Sequence, residues 1–251
     1  MQILLVHGMW GHGDEWSLWR EALAEREWET HAPTLRHHDL PASAKPPEQL
    51  GRTSILDYAG DLETAVRNLP EPPVVIGHSM GGLLAQILAA RGAARAAVLL
   101  TPAAPRGVIA LRPSVLWSFR RQLVTPAFWR RPHRPTFAQA TSSMLHLLPE
   151  EERRRVFSEM RWESGRAMFE IGLALLDRRR ASQVDPERVR CPVLAVAARH
   201  DRIVPASVVR QIARRYDAEL VELPDHAHWV LSGPGWRNVA GRVIDWVERS
   251  V

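Results

Sequence analysis

The stretch PPVVIGHSMGGLLAQILAA, residues 72–90, runs three β-branched residues, Val74, Val75 and Ile76, into Gly77-His78-Ser79-Met80-Gly81 and leaves through a segment rich in leucine and alanine. β-branched residues favour an extended chain and Leu83 to Ala90 favour a helix, so the serine stands at a strand-to-helix turn. Such a turn is so sharp that its neighbours cannot carry bulky side chains, which accounts for Gly77 and Gly81. The first turn of the helix leaves amide N–H groups free beside the serine hydroxyl, where negative charge would be stabilised. The arrangement is costly, and a nucleophilic role for Ser79 supplies a reason for it.

Working outward, short apolar runs alternate with helical periodicity, the pattern of a mostly parallel sheet covered on both faces. The strands are predicted at Ile3 to Val6, Glu29 to Ala32, Val74 to Ile76, Ala96 to Leu100, Val193 to Ala197 and Glu219 to Leu223. Helical stripes fall at Ile55, Tyr58, Leu62, Val66 and Leu69, at Val208, Ile212 and Tyr216, and at Trp236, Val239, Val243 and Trp246. Between Pro102 and Arg190 no strand is predicted. That interval has helical stretches at Glu150 to Met160 and Ser164 to Arg180 and an irregular beginning broken by Pro105, Pro113, Pro126, Pro132 and Pro135. It reads as a helical cap, residues 103–189, inserted into a core made of residues 1–102 and 190–251.

Composition narrows the function. At 251 residues and 45% hydrophobic, the chain can bury one sizeable core. The single cysteine, Cys191, permits no internal disulfide, and its small side chain before Pro192 suits a buried strand start. MQILLVHG lacks a basic leader and its apolar run is too short to span a bilayer, so a cytoplasmic protein with no membrane partner is expected. The net charge of +5 and pI near 10.4 would suggest nucleic acid, but the arginines are scattered among 28 acidic residues. No nucleic-acid partner is expected. Arg153 to Arg155 and Arg178 to Arg180 read as solvated helix faces.

A serine hydroxyl needs a base to take its proton and a third group to orient that base. Asp201 follows the strand Val193 to Ala197, in AARHDRIVP, and His228 follows the strand Glu219 to Leu223, in LPDHAHW. Ser79, Asp201 and His228 thus stand in order at successive strand ends. Asp225, only three residues from His228, has little freedom to orient it. His37-His38-Asp39 and His226-x-His228 invite a metal, but no further ligand spacing accompanies them, so neither a metal nor another cofactor is expected.

Taken together, the pair His7-Gly8, the turn GHSMG, the acid in HDRIVP and the base in HAHW resemble the α/β-hydrolase fold in its serine-nucleophile form, nearly end to end. The resemblance implies an α/β sheet of about six strands, since Met1 lies just before the strand that would be third in an eight-stranded relative, with helices on both faces and a cap. It favours His228 over His226 as the base, between Ala227 and Trp229, and makes His78 a support for the turn. It implies an oxyanion hole from the backbone N–H groups of Met9 and Met80. Trp10, Trp117, Trp129 and Trp229 are expected to bind substrate, with Phe119, Phe128, Trp162 and Phe169 as further cap aromatics or core. One departure is PTLRHHDLPAS, where similar enzymes carry a glycine turn.

Dehalogenases and epoxide hydrolases of this fold place an aspartate where Ser79 stands, and hydroxynitrile lyases a lysine beside the base, where this chain has Trp229. Hydrolysis of a small apolar acyl ester or thioester through an acyl-enzyme is therefore the expected function. A carbon–carbon bond hydrolase, or a small-molecule receptor with little turnover, are the alternatives.

Overall fold

In the computed structural model the strands in chain order are β1 (Gln2–Val6), β2 (Glu29–His31), β3 (Val74–His78), β4 (Ala96–Leu100), β5 (Pro132–His133), β6 (Glu163–Ser164), β7 (Val193–Ala198) and β8 (Glu219–Leu223). Residues 1–41, 43–110, 117, 119–120 and 124–251 are described; Pro113, expected as a helix breaker, lies outside them. Six strands form one parallel sheet in the order β2-β1-β3-β4-β7-β8, with Leu5 opposite Ile76 and Val98 opposite both Ile76 and Leu194. All six predicted strands are present.

The four central strands are buried on both faces, and side chains alternate between them with the strand period of two. Leu4, Val6, Val75, Ala97 and Leu99 pack on one side with the helices α2 (Ile55–Arg67) and α3 (Met80–Ala90). Ile3, Leu5, Val74, Ile76, Val98 and Leu100 pack on the other with α1 (Ser17–Ala24). Helix α2 starts with a capping box, Ser54 receiving the Leu56 N–H while Asp57 receives the Ser54 N–H at 2.8 Å. It ends at Arg67, so Leu69 of the predicted stripe follows the helix.

The interval between β4 and β7 contains α4 (Phe137–Ser143), α5 (Glu150–Glu159) and α6 (Gly165–Gly172). It also contains strands, which corrects the expectation of none: β5 and β6 pair antiparallel, His133 opposite Glu163. They are two residues each, too short for any periodicity to announce. The helix expected to reach Arg180 stops at Gly172, because the Asp177 carboxylate captures the N–H groups of Arg179 and Ala181 and pairs with Arg166. Trp10, Phe128, Met144, Leu148, Val156 and Met168 belong to a third apolar cluster over the sheet edge. The chain finishes with α7 (Ala206–Arg215), on the same face of the sheet as α2 and α3, and α8 (Trp236–Ser250) beside α1. Among the described residues no helix is long and apolar enough to cross a membrane.

The strand order reverses between β1 and β3: from β1 the chain moves outward to β2, then crosses back to β3 on β1's other side. Loops leaving the carboxyl ends of β1 and β3 diverge there and open a crevice. His7-Gly8 ends one of those strands and Ser79 the other.

Candidate active site

Ser79 lies between β3 and α3 with φ 54° and ψ −116°, a conformation that costs about 1–3 kcal/mol for a residue with a side chain. Four backbone bonds hold it there: its N–H donates to the Leu100 carbonyl at 2.9 Å, and its carbonyl accepts from Gly82 at 2.9 Å, Leu83 at 3.3 Å and Ala103 at 2.8 Å. The flanking glycines answer to close approach. A Cβ on Gly77 would sit 2.1 Å from the Gly81 carbonyl oxygen, and one on Gly81 would sit 2.1 Å from that of Val6. The elbow is therefore pressed directly onto β1, and no larger residue fits.

The three residues expected to act together meet. His228 Nδ1–H donates to Asp201 Oδ2 at 2.7 Å, which leaves Nε2 to accept from the Ser79 hydroxyl at 2.9 Å. Asp201 Oδ1 accepts from the N–H groups of Ile203 at 2.7 Å and Val204 at 2.8 Å, so the carboxylate is held by its own loop. All three side chains are buried. The rivals stand apart: Asp225 is exposed, and neither ring nitrogen of His226 has a hydrogen-bond partner among the described residues.

Two supports of the base were only partly legible. His78 Nε2–H donates to the His228 carbonyl at 3.0 Å, and Thr101 Oγ donates to the same oxygen at 3.1 Å. Burial and the neighbouring His228 push the His78 pKa down to about 3, so its ring stays neutral beside the base. Thr101, at the end of β4, carries no motif and could not be picked out from sequence. His7 ties the β1 loop: Nδ1–H donates to the Gly8 carbonyl at 2.8 Å and Nε2 accepts the Leu35 N–H at 3.0 Å. Burial, with His38 nearby, lowers its pKa well below 6.5, consistent with that neutral tautomer.

Met9 and Met80 flank Ser79, one following the His7-Gly8 turn and the other beginning α3. Met9, Trp10, Phe119, Met144, Val156 and Trp229 are among the side chains lining the crevice over Ser79 and His228. Trp10 also fastens the overlying interval, its Nε1–H donating to the His133 carbonyl at 3.2 Å and its carbonyl accepting the Arg161 N–H at 2.7 Å.

Trp117 and Trp129 are the other two tryptophans expected at the substrate. Neither lines the crevice among the described residues; Trp117 is 63% exposed and Trp129 38%. The Arg120 guanidinium lies 4.0 Å from the Trp117 ring centre, a cation–π contact that suits a surface indole, while Trp129 packs edge-on against Phe128. Conversely, His12, Glu15 and Glu159 line the crevice without having been singled out. Of the His37-His38-Asp39 cluster His38 turns inward, 3.2 Å from Glu163, while Asp39 is exposed. Among the described residues no three His, Cys, Asp or Glu side chains are grouped to hold a metal ion.

Known proteins bear on this geometry in three ways. No curated protein matches the sequence. The fold is shared with a pyrethroid hydrolase from Sphingobium faniae JZ-2 (18% identity, 99% and 97% of the two chains covered, TM-score 0.73) and a monoacylglycerol lipase from Paleococcus ferrophilus (19%, 100% and 95%, 0.72). It is shared also with a methylesterase from Arabidopsis (12%, 99% of each chain, 0.72). The family model described as alpha/beta hydrolase family matches residues 3–236. With its parallel sheet, its elbow at the topological switch and a match across nearly its whole length, the chain belongs to the alpha/beta hydrolase family.

Proposed function

We propose that the protein is a serine hydrolase that cleaves a carboxylic ester or thioester through an acyl-enzyme. The observation that carries this reading is the continuous relay Ser79 Oγ, His228, Asp201 at 2.9 and 2.7 Å, opening on a largely apolar crevice. Ser79 attacks the acyl carbon while His228 Nε2 takes its proton; Asp201 holds the tautomer that makes Nε2 an acceptor and stabilises the imidazolium that forms. The proton then passes to the leaving alcohol or thiol. Water, deprotonated by the same histidine, releases the acyl group.

The backbone N–H groups of Met9 and Met80 are proposed as the oxyanion donors, and no hydrogen bond from either occupies it among the described residues. Losing one such donor costs about a hundredfold or more in rate. Trp10 and Trp229 are proposed to hold the substrate, with residues 103–189 acting as the cap that encloses it. Folds shared with proteins described as a methylesterase, a monoacylglycerol lipase and a pyrethroid hydrolase support the same choice without specifying a substrate.

The test is labelling by a serine-reactive fluorophosphonate together with hydrolysis of p-nitrophenyl esters and acyl thioesters of graded length. Label on Ser79 and turnover that disappears in labelled protein are expected. Labelling elsewhere with turnover intact would overturn the assignment.

A further inference from the structure

The crevice has two characters. Beside Ser79 its wall is apolar, but toward Gly11 it is lined by His12, Glu15 and Glu159. These three side chains and Trp229 also wall a second, more open groove, to which Asp14, Glu151 and Glu152 contribute. Although the chain carries net +5, the groove sets five carboxyl groups against one arginine, Arg155, which is already paired with Glu152 at 2.7 Å and Glu159 at 3.3 Å.

The shared wall contains buried polar atoms with no partner among the described residues. His12 is 7% exposed and neither of its ring nitrogens is hydrogen-bonded; Asp14 Oδ2, at 3.7 Å from Nδ1, is too far. Oε1 of Glu15 is buried and equally unpartnered. Gly11 is what lets the carboxyl in, since a Cβ there would lie 2.4 Å from Glu15 Oε2. The titratable and charged groups nearby are His7, His12 and Asp14 after β1, His38 after β2, Glu152, Arg155 and Glu159 from α5, and Arg161 beside His12; no cation is among the groups acting on the Glu15 carboxyl. Burial pushes that carboxyl up to about 8, against the pull of the His12 and Gly8 amides and with Glu159 adding to the rise. A buried carboxyl with no counter-charge and one oxygen unpartnered is expensive for folding alone, and a ligand bringing N–H donors and positive charge would relieve the expense.

We infer that Glu15 and His12 form a subsite for an alkylammonium group of the substrate, whose alkyl chain lies along the apolar wall toward Ser79. This deepens the ester-cleaving reading and rests on it. A primary ammonium offers three donors; Glu15 Oε1, a ring nitrogen of neutral His12 and the Glu159 carboxylate are the acceptors around it. An anionic group would instead meet Glu159 and Asp14, and a hydroxyl would bring one donor and no charge.

The probes are n-pentylammonium and 1-pentanol, equal in chain length, titrated against the intact protein by tryptophan fluorescence, since Trp10 and Trp229 line the crevice, and by protection of Ser79 from a fluorophosphonate. Pentylammonium should bind about tenfold tighter or more. Its advantage should grow as pH rises through about 8, because free Glu15 ionises there while the ammonium keeps its charge up to about pH 10. Glu15→Gln should abolish the advantage, and the wild-type comparison stands even if that variant fails to fold. Equal binding of the two probes, an advantage that falls with rising pH, or one that survives in Glu15→Gln would overturn the inference. Fluorescence needs no turnover, so an absent ester hydrolysis with the pentylammonium advantage intact would sink the hydrolase reading alone.

Discussion

Two buried histidine–carboxylate pairs in this molecule are built from the same parts and are suited to opposite tasks. His228 gives Nδ1–H to Asp201 at 2.7 Å and turns Nε2 toward the Ser79 hydroxyl. His38 faces Glu163 through Nε2 at 3.2 Å and turns Nδ1–H toward the Arg36 carbonyl at 3.0 Å. Both nitrogens of His38 therefore meet acceptors. Burial alone would lower its pKa, but the charge and hydrogen bond of Glu163, aided by that carbonyl, raise it. Tyr58 O–H at 2.8 Å and the Ser164 N–H at 2.6 Å complete the shell around Glu163, sealing an ion pair between the loop after β2 and β6. What the second nitrogen faces decides whether such a pair can take a proton from a substrate group or only hold two elements together.

The comparison breaks most readily at the hydroxyl. Ser79→Ala should lower kcat/KM on a p-nitrophenyl ester by roughly 10⁴-fold or more while leaving the thermal unfolding curve in place, because members of such a relay act as a unit. Next, Asp201→Asn should cost on the order of 10³- to 10⁴-fold in kcat, since the amide favours the wrong imidazole tautomer; a small loss would mean that Asp201 only braces its loop.

The sealed pair should answer in stability instead. Glu163→Gln leaves His38 buried without its counter-charge, which costs about 3–5 kcal/mol and should lower Tm by roughly 10 °C in a chain of this size. Residual activity per folded molecule should stay close to wild type. A loss of turnover with Tm unchanged would erase the distinction between the pairs.

A pH series sharpens it further. A histidine whose folded pKa is raised contributes stability that is fully present below about pH 6.5 and is lost as pH rises through the raised value. Wild-type stability should therefore include a decline above pH 6.5 that is missing in Glu163→Gln, measured by denaturant unfolding at each pH. The smallest effect is expected at the surface. Trp117→Ala should change stability by about 0.5 kcal/mol or less and leave ester chain-length preference unaltered, because the indole packs under Arg120 and away from the crevice; a flattened preference would return it to the substrate.

Sequence alone determined the sheet and the elbow. A strand buried on both faces must be a run of apolar residues, and Val74-Val75-Ile76, Ala96 to Leu100 and Val193 to Ala198 are such runs. The elbow was legible for a steric reason: only glycine tolerates backbone at 2.1 Å, so Gly77 and Gly81 mark where β3 presses on α3 and β1. Asp201 and His228 were legible because strand ends in a parallel sheet share one edge. Tertiary structure decided the rest. Thr101 meets the His228 carbonyl 127 positions away, and Glu163 meets Tyr58 and His38 at 105 and 125 positions, across loops with no fixed period, and nothing local distinguishes them. Whether an aromatic side chain lines a crevice or lies on the surface depends likewise on the path of an irregular chain, which is why Trp10 and Trp117 look alike in sequence and part company in the fold.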